Sequence, residues 1–344
     1  MTPLLLGLSA YAVAFALLGP RLLHACAHQQ RAAPRFGLAL WTALPTSWIV
    51  AVLAVGLAAT AQLSGGLGLA GLLHACLRAL QVILGVHHPD DAPAALALCG
   101  SLTILIRLGT VAYRQARHDH KQRKAHRRGV SSSMQTVHRG GRLISIVDSP
   151  TPAAYCVPGR RSAIVLTTGT LRELPARQVD AVITHEHAHL RGRHHLFVAW
   201  GTILATAFPF IPLLRSAPHE LARLVEWLAD DQAGRRHGRP LVARALATMA
   251  AGPHSSASPQ PEAALTVTGS NVLDRVRRLI EPQTKARGAR WPVSTAIMAP
   301  ILVLAATTAV LLPAVTADPA PLCQGQQPPT PISTRPTPGE TGPE

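Results

Sequence analysis

The chain has 344 residues, 48% of them hydrophobic but only 4% aromatic, with a formal net charge of +16. Its apolar residues fall in long uncharged runs, which argues against an ordinary soluble globule and for an α-helical integral membrane protein. Its basic excess does not describe a nucleic-acid-binding face. Arg114, Arg117, Lys121, Arg123, Lys124, Arg127 and Arg128 cluster against the single acid Asp119, just beyond an apolar run. The positive-inside rule produces such a cluster, so contact with the lipid bilayer is expected and direct nucleic-acid contact is not.

Residues 2–20 are uncharged and just long enough to cross a bilayer, and with no basic leader they read as an anchor rather than a cleaved signal. Residues 37–63 suit a second, tilted span. Residues 65–86 are interrupted by His74, Arg78 and Gln81 and are expected to form an interfacial helix, with a further span as the alternative. Residues 93–113 are apolar apart from Arg107, which can snorkel toward the basic end. The expected organisation is thus a transmembrane region over 1–113, with three or four spans, and a basic cytoplasmic linker over 114–141. Either span count puts the residues that follow on the cytoplasmic side.

Residues 142–290 are expected to form an α+β domain. Short apolar runs at 142–148, 153–157 and 162–167 read as strands, and Pro175 with Gln178 and Val179 opens a helix. That helix carries His185-Glu186-His187-Ala188-His189, an HExxH zinc-hydrolase signature. Positions i and i+4 share a helix face, so His185 and His189 can aim two imidazoles at one ion, and Glu186 is the expected general base.

A third protein ligand is needed, and Glu226 is the leading candidate. It shares a face with Asp230, which is expected to orient a ligand imidazole. Glu220 and Asp231 compete with Glu226 at lower rank, and His219 is a possible oxyanion stabiliser. Between the two halves of this site lies the apolar segment 196–214. A single crossing there would place the halves on opposite sides of the membrane. The segment must therefore dip and return, lie at the interface or pack on other spans, and Pro209 and Pro212 favour a broken helix.

Residues 252–262 read as a loop and 271–280 as a short basic helix that packs on the core or faces headgroups. Residues 293–315 are a last transmembrane helix, carrying a disordered Pro-rich tail at 318–344 outside the membrane. The five cysteines show no CxxC spacing, which argues against a thiolate zinc site.

HExxH followed by Glu226-Trp227-Leu228-Ala229-Asp230 resembles the gluzincin pattern. Val157-Pro158-Gly159, Ala163-Ile164-Val165-Leu166-Thr167, Gly169-Thr170-Leu171 and the stretch from His185 to Gly192 resemble the BlaR/MecR-type bacterial membrane metallopeptidases, over roughly residues 140–290. The HtpX/CAAX-prenyl-protease-like peptidases are related to these. Arg191 departs from the apolar residue many zincins have there but suits the BlaR/MecR-type pattern.

The resemblance implies a zincin-like (gluzincin) domain inserted among membrane helices, one Zn2+ per chain, and a strand of the 162–167 kind at the cleft edge. It implies a multi-pass protein of a bacterial cell membrane that cleaves a protein substrate at the cytoplasmic face, the candidates being a transcriptional repressor, the protease itself and damaged membrane proteins. Too little chain follows Val315 for a penicillin-binding sensor domain. The alternatives are an HtpX-like quality-control protease and a non-catalytic signalling scaffold.

Overall fold

The computed structural model describes residues 2–64, 69–85, 92–130, 134–139, 142–159, 162–251 and 269–281. The expected span at 293–315, the tail at 318–344 and the loop at 252–262 lie outside them.

The first half is helical: α1 (Thr2–Ala25), a short α2 (Ala27–Ala32), α3 (Pro34–Ser64), α4 (Leu69–Ile83) and α5 (Ala92–Val130). Two stretches among the described residues are long and apolar enough to cross a membrane, Pro34–Leu57 in α3 and Ala92–Ala125 in α5. The segment expected at the interface is α4, whose small Ala75 and Ala79 pack on Ala95 and Leu98 of α5.

A sheet follows, formed by β1 (Met134–Arg139), β2 (Arg142–Val147), β3 (Ala154–Val157) and β4 (Ala163–Thr167). Two expectations change here. The basic stretch expected as a linker is regular where it is described: α5 continues unbroken through the basic cluster to Val130, and Met134–Arg139 forms β1, which pairs antiparallel with β2. The polar Met134–Arg139 stretch has no apolar alternation to announce a strand; pairing with β2 makes it one.

The strand order is β1-β2-β4-β3, so β3, not β4, occupies the edge. Burial explains the exchange. Residues Ile164 to Thr167 of β4 are buried without alternation, as a strand covered on both faces must be. β3 alternates, burying Tyr155 and Val157 against Val147 and Val165 while Ala154 and Cys156 take the other face.

Six further helices follow among the described residues: α6 (Thr168–Glu173), α7 (Ala176–Gly192), α8 (His194–Ala207), α9 (Pro212–His237), α10 (Arg239–Ala251) and α11 (Gly269–Ile280). The long apolar segment divides between α8 and α9. The chain breaks at Phe208–Ile211 and turns back, and a Cβ at Gly201 would lie 3.0 Å from the Pro218 backbone, so the two helices form a tight antiparallel hairpin.

The helix α9 is the axis of the molecule. Leu213, Ala217, Leu221 and Leu224 recur at helical spacing and bury against Trp41, Leu44 and Trp48 of α3 and Leu204 of α8. Each of these leucines contributes about 1.5–3 kcal/mol by leaving water. On another face, Ala233 of α9 meets Ala181 of α7, Val242 and Ala243 of α10 and Leu279 of α11. In turn, α7 packs Val179, Val182 and Ile183 on Ile144, Ile164 and Leu166 of the sheet. These contacts hold α7 between the sheet and α9, facing Glu226 and Asp230.

Candidate metal centre

Pro175 precedes the first residue of α7, where its missing N–H and fixed φ cost nothing, and the helix runs uninterrupted through His189. The helical period places His185 and His189 one turn apart, with their Nε2 atoms 3.1 Å from each other. From α9, Glu226 reaches into the same space. Its Oε2 lies 3.4 Å from His185 Nε2 and its Oε1 3.4 Å from His189 Nε2. One ligand atom from each residue falls in a group no more than 4.8 Å across, the arrangement a metal ion requires.

The donor set fits a zinc-sized dication. Metal–ligand bonds of about 2.0–2.1 Å around a tetrahedron give edges of roughly 3.3 Å between donors. The His185 and His189 Nε2 atoms stand 3.1 Å apart, close to that edge, and each lies 3.4 Å from a different Glu226 oxygen, so the carboxylate faces both rings.

Both imidazoles are held from behind. His185 Nδ1 lies 3.1 Å from Asp230 Oδ1, the contact expected from the shared helix face of Glu226 and Asp230. His189 Nδ1 lies 3.0 Å from His194 Nδ1, a contact the motif spacing did not indicate. The chain makes it by ending α7 abruptly. Arg193 takes the left-handed conformation, with φ of 49°, and its N–H caps the carbonyls of His189 and Leu190. That turn brings His194 back over the helix end, where Gly192 leaves room for its ring; a Cβ at 192 would sit 2.3 Å from His194 Nε2. Partners of this kind set which nitrogen points at the metal. Replacing His194 with Ala should therefore weaken zinc affinity about 10–100-fold. Competition with a chelator measures this; an unchanged affinity would show that His194 only fills space.

Arg275 of α11 was also missed, because the sequence offers only a short basic helix distant in the chain. The residue is 4% exposed. Its Nε and Nη2 donate to the two Asp230 oxygens at 2.8 and 2.7 Å, and its Nη1 lies 2.8 Å from Glu226 Oε2. The same helix buries Arg278, paired with Asp231. So α11 packs its arginines on the core; it does not present these two to headgroups.

Cys156 on the edge strand β3 hydrogen-bonds the Glu186 carboxyl. By period two its side chain falls on the opposite sheet face from Tyr155 and Val157, the face toward α7.

Electrostatics differentiate the groups. Burial works against the His185 imidazolium, but Asp230 and Glu226 hold its pKa up at about 10. Burial takes His189 down to about 3 and His194 to about 4. Burial also opposes the Glu226 carboxylate, yet Arg275 and His189 lower it to about 2. Asp230, buried as well, is held below the usual carboxylate range by Arg275 and His185. Desolvation pushes the Glu186 carboxyl up, with Glu226 adding to the rise and His185 opposing it.

The competing acids lie elsewhere. Glu220 pairs with Arg223 and His219, and Asp231 with Arg239 and Arg278. His219 is 69% exposed and its ring contact is with Glu220, so nothing ties it to the imidazole pair.

A family model described as peptidase family M48 matches residues 119–214, which include the HExxH helix and stop short of Glu226. The chain is 29% identical over 121 residues to a protein described as "Protease HtpX homolog" from Acaryochloris marina (strain MBIC 11017). The match covers 32% of this chain and 39% of that protein, so the chain spans about two fifths of the relative's length. No solved structure matches the chain significantly. These likenesses support a metallopeptidase of the M48 kind, a hydrolase of peptide bonds.

Proposed function

We propose that the chain is a membrane-embedded zinc endopeptidase in which His185, His189 and Glu226 hold the ion and Glu186 is the catalytic base. The observation that carries this reading is the meeting of one ligand atom from each of the three residues within 4.8 Å of one another, with the two imidazole Nε2 atoms 3.1 Å apart and each 3.4 Å from a Glu226 oxygen. When bound, zinc supplies Lewis acidity toward a water and a peptide carbonyl. The protein's own groups do the rest. Glu186 sits next to His185 on the same helix, outside the donor triangle, with its carboxyl shifted upward by burial. It takes the proton from the attacking water and delivers it to the leaving amine. Asp230 and His194 hold the ligand rings, and Arg275 offsets the negative charge of the two carboxylates.

The β3 edge supplies a place for an extended protein segment to add a strand beside the site, with Cys156 under it. In the proposed topology α3 and α5 cross the membrane and the site lies on the cytoplasmic side, as the basic continuation of α5 indicates. Cleavage of a transcriptional repressor is the narrower form of this proposal, taken from the BlaR/MecR-type resemblance. The likeness to the HtpX homolog favours a broader protease role equally well.

Metal analysis of the purified chain tests the reading. Wild type should carry about one zinc per chain, His189→Ala and Glu226→Ala should lose it, and Glu220→Ala should retain it. Full zinc retention in Glu226→Ala would remove the carboxylate from the ligand set and the gluzincin assignment with it.

A further inference from the structure

We propose that the basic face of α5, just past its apolar stretch, binds the phosphate headgroup of an anionic phospholipid. The proposal rests on reading α5 as a membrane helix and adds to it a defined lipid site. From Ala92 to Tyr113 the helix axis rises about 32 Å, close to the hydrocarbon thickness of about 30 Å. Tyr113, 62% exposed, therefore falls at the level where aromatic residues meet headgroups.

At that level one face of the helix forms a shallow, open recess. Thr110, Tyr113, Arg114, Arg117, His118 and Lys121 line a concavity of about 420 Å3. Their spacing of three and four residues makes them one stripe of the helix, so three permanent cations and two hydroxyls converge on one surface. The Arg117 guanidinium is pre-positioned: its Nη1 donates to Tyr113 Oη at 3.1 Å and its Cζ stands 5.5 Å from the ring centroid. Asp119, the only acid between 114 and 128, accepts from Gln115 at 2.9 Å.

The turn of helix on the membrane side of the recess is open, and apolar apart from Arg107, whose Nε donates to the Ala207 carbonyl. Leu105 and Ile106 are exposed, and the apolar window of α5 is only 17% buried by the rest of the protein. A ligand that fits both parts has a phosphate for the cations and acyl chains for the track below. Free phosphate uses only the first, and a nucleic acid has no use for the second.

The test uses the full chain, extracted in mild detergent from vesicles of mixed phosphatidylglycerol and phosphatidylcholine, with retained lipid read by native mass spectrometry. Wild type should retain phosphatidylglycerol in preference to phosphatidylcholine. A combined Arg114→Gln, Arg117→Gln, Lys121→Gln variant should lose that preference about tenfold or more. Arg114→Lys with Arg117→Lys should keep it. So should a charge-matched control, Arg172→Gln, Arg177→Gln and Arg236→Gln, at exposed sites away from α5.

Several results would overturn the site: equal retention of both lipids, equal loss in the control, or displacement of the lipid by millimolar inorganic phosphate or a short single-stranded DNA. If the wild-type chain fails to partition into vesicles at all, the membrane reading itself falls. Partition without lipid preference removes the site alone.

Discussion

Replacing Glu186 with Gln is expected to reduce peptide cleavage about 10²–10⁴-fold while leaving metal content unchanged. Glu186 lies outside the donor triangle, so the ion loses no ligand. Gln has the same shape and keeps an acceptor for the Cys156 hydrogen bond, so the packing between β3 and α7 survives. The variant loses the ability to take up a proton, which no neighbouring group replaces in position: Asp230 is engaged by Arg275 and His185, and Glu226 by the triangle. Cleavage of an unfolded protein substrate by detergent-solubilised wild type and variant, with zinc measured in the same samples, checks both halves. A variant cutting within threefold of wild type would show that another group is the base.

Arg275→Met is expected to destabilise the metal-free chain by about 3–5 kcal/mol. The guanidinium is the cation shared by Asp230 and Glu226, both buried, and methionine leaves the two carboxylates without it. Uncompensated buried charge costs more than the ion pair contributes, because each carboxylate has already given up its water. Zinc should restore much of the loss, since a dication neutralises the same pocket and binds only the folded chain. Arg275→Lys should fall between, keeping the charge but not the two-pronged contact with Asp230. Denaturant unfolding with and without added zinc measures the effect. Equal stability of wild type and Arg275→Met in the metal-free state would mean that the carboxylates find other partners.

These two expectations rest on residues of unequal legibility. Glu186 is readable from five consecutive letters, because a helix converts sequence spacing directly into a common face. Arg275 is not: it comes from a separate helix, and in sequence it looks like its neighbour Arg277. Its burial follows from how α11 packs on α9 and α10, where Leu279 enters the cluster with Ala233 and Val242. His194 was obscured for another reason. A left-handed residue at Arg193 turns it back, and arginine is not a residue type that announces that conformation.

The sheet shows the same division. Apolar runs marked three of its four strands, but their lateral order depends on which strand is covered twice, and that put β4 inside and β3 at the edge. The basic run at the end of α5 read as a linker because it carries no apolar stripe, although its Arg, Lys, Gln and Ala residues are good helix formers. Unbroken backbone hydrogen bonding continues the helix through it.

By itself, the amino-acid sequence determined the periodic features: the apolar stretches, the paired imidazoles with the glutamate between them, and the shared face of Glu226 and Asp230. These depend on rise and turn per residue, which are the same in every helix. Tertiary structure alone decided that Glu226, rather than Glu220 or Asp231, meets the imidazoles, that Asp230, His194 and Arg275 surround them, and that β3 rather than β4 lies at the sheet edge. Those outcomes depend on the rotation of α9 about its own axis. That rotation is set by the burial of Leu213, Ala217, Leu221 and Leu224 against helices whose partners are far away in the chain.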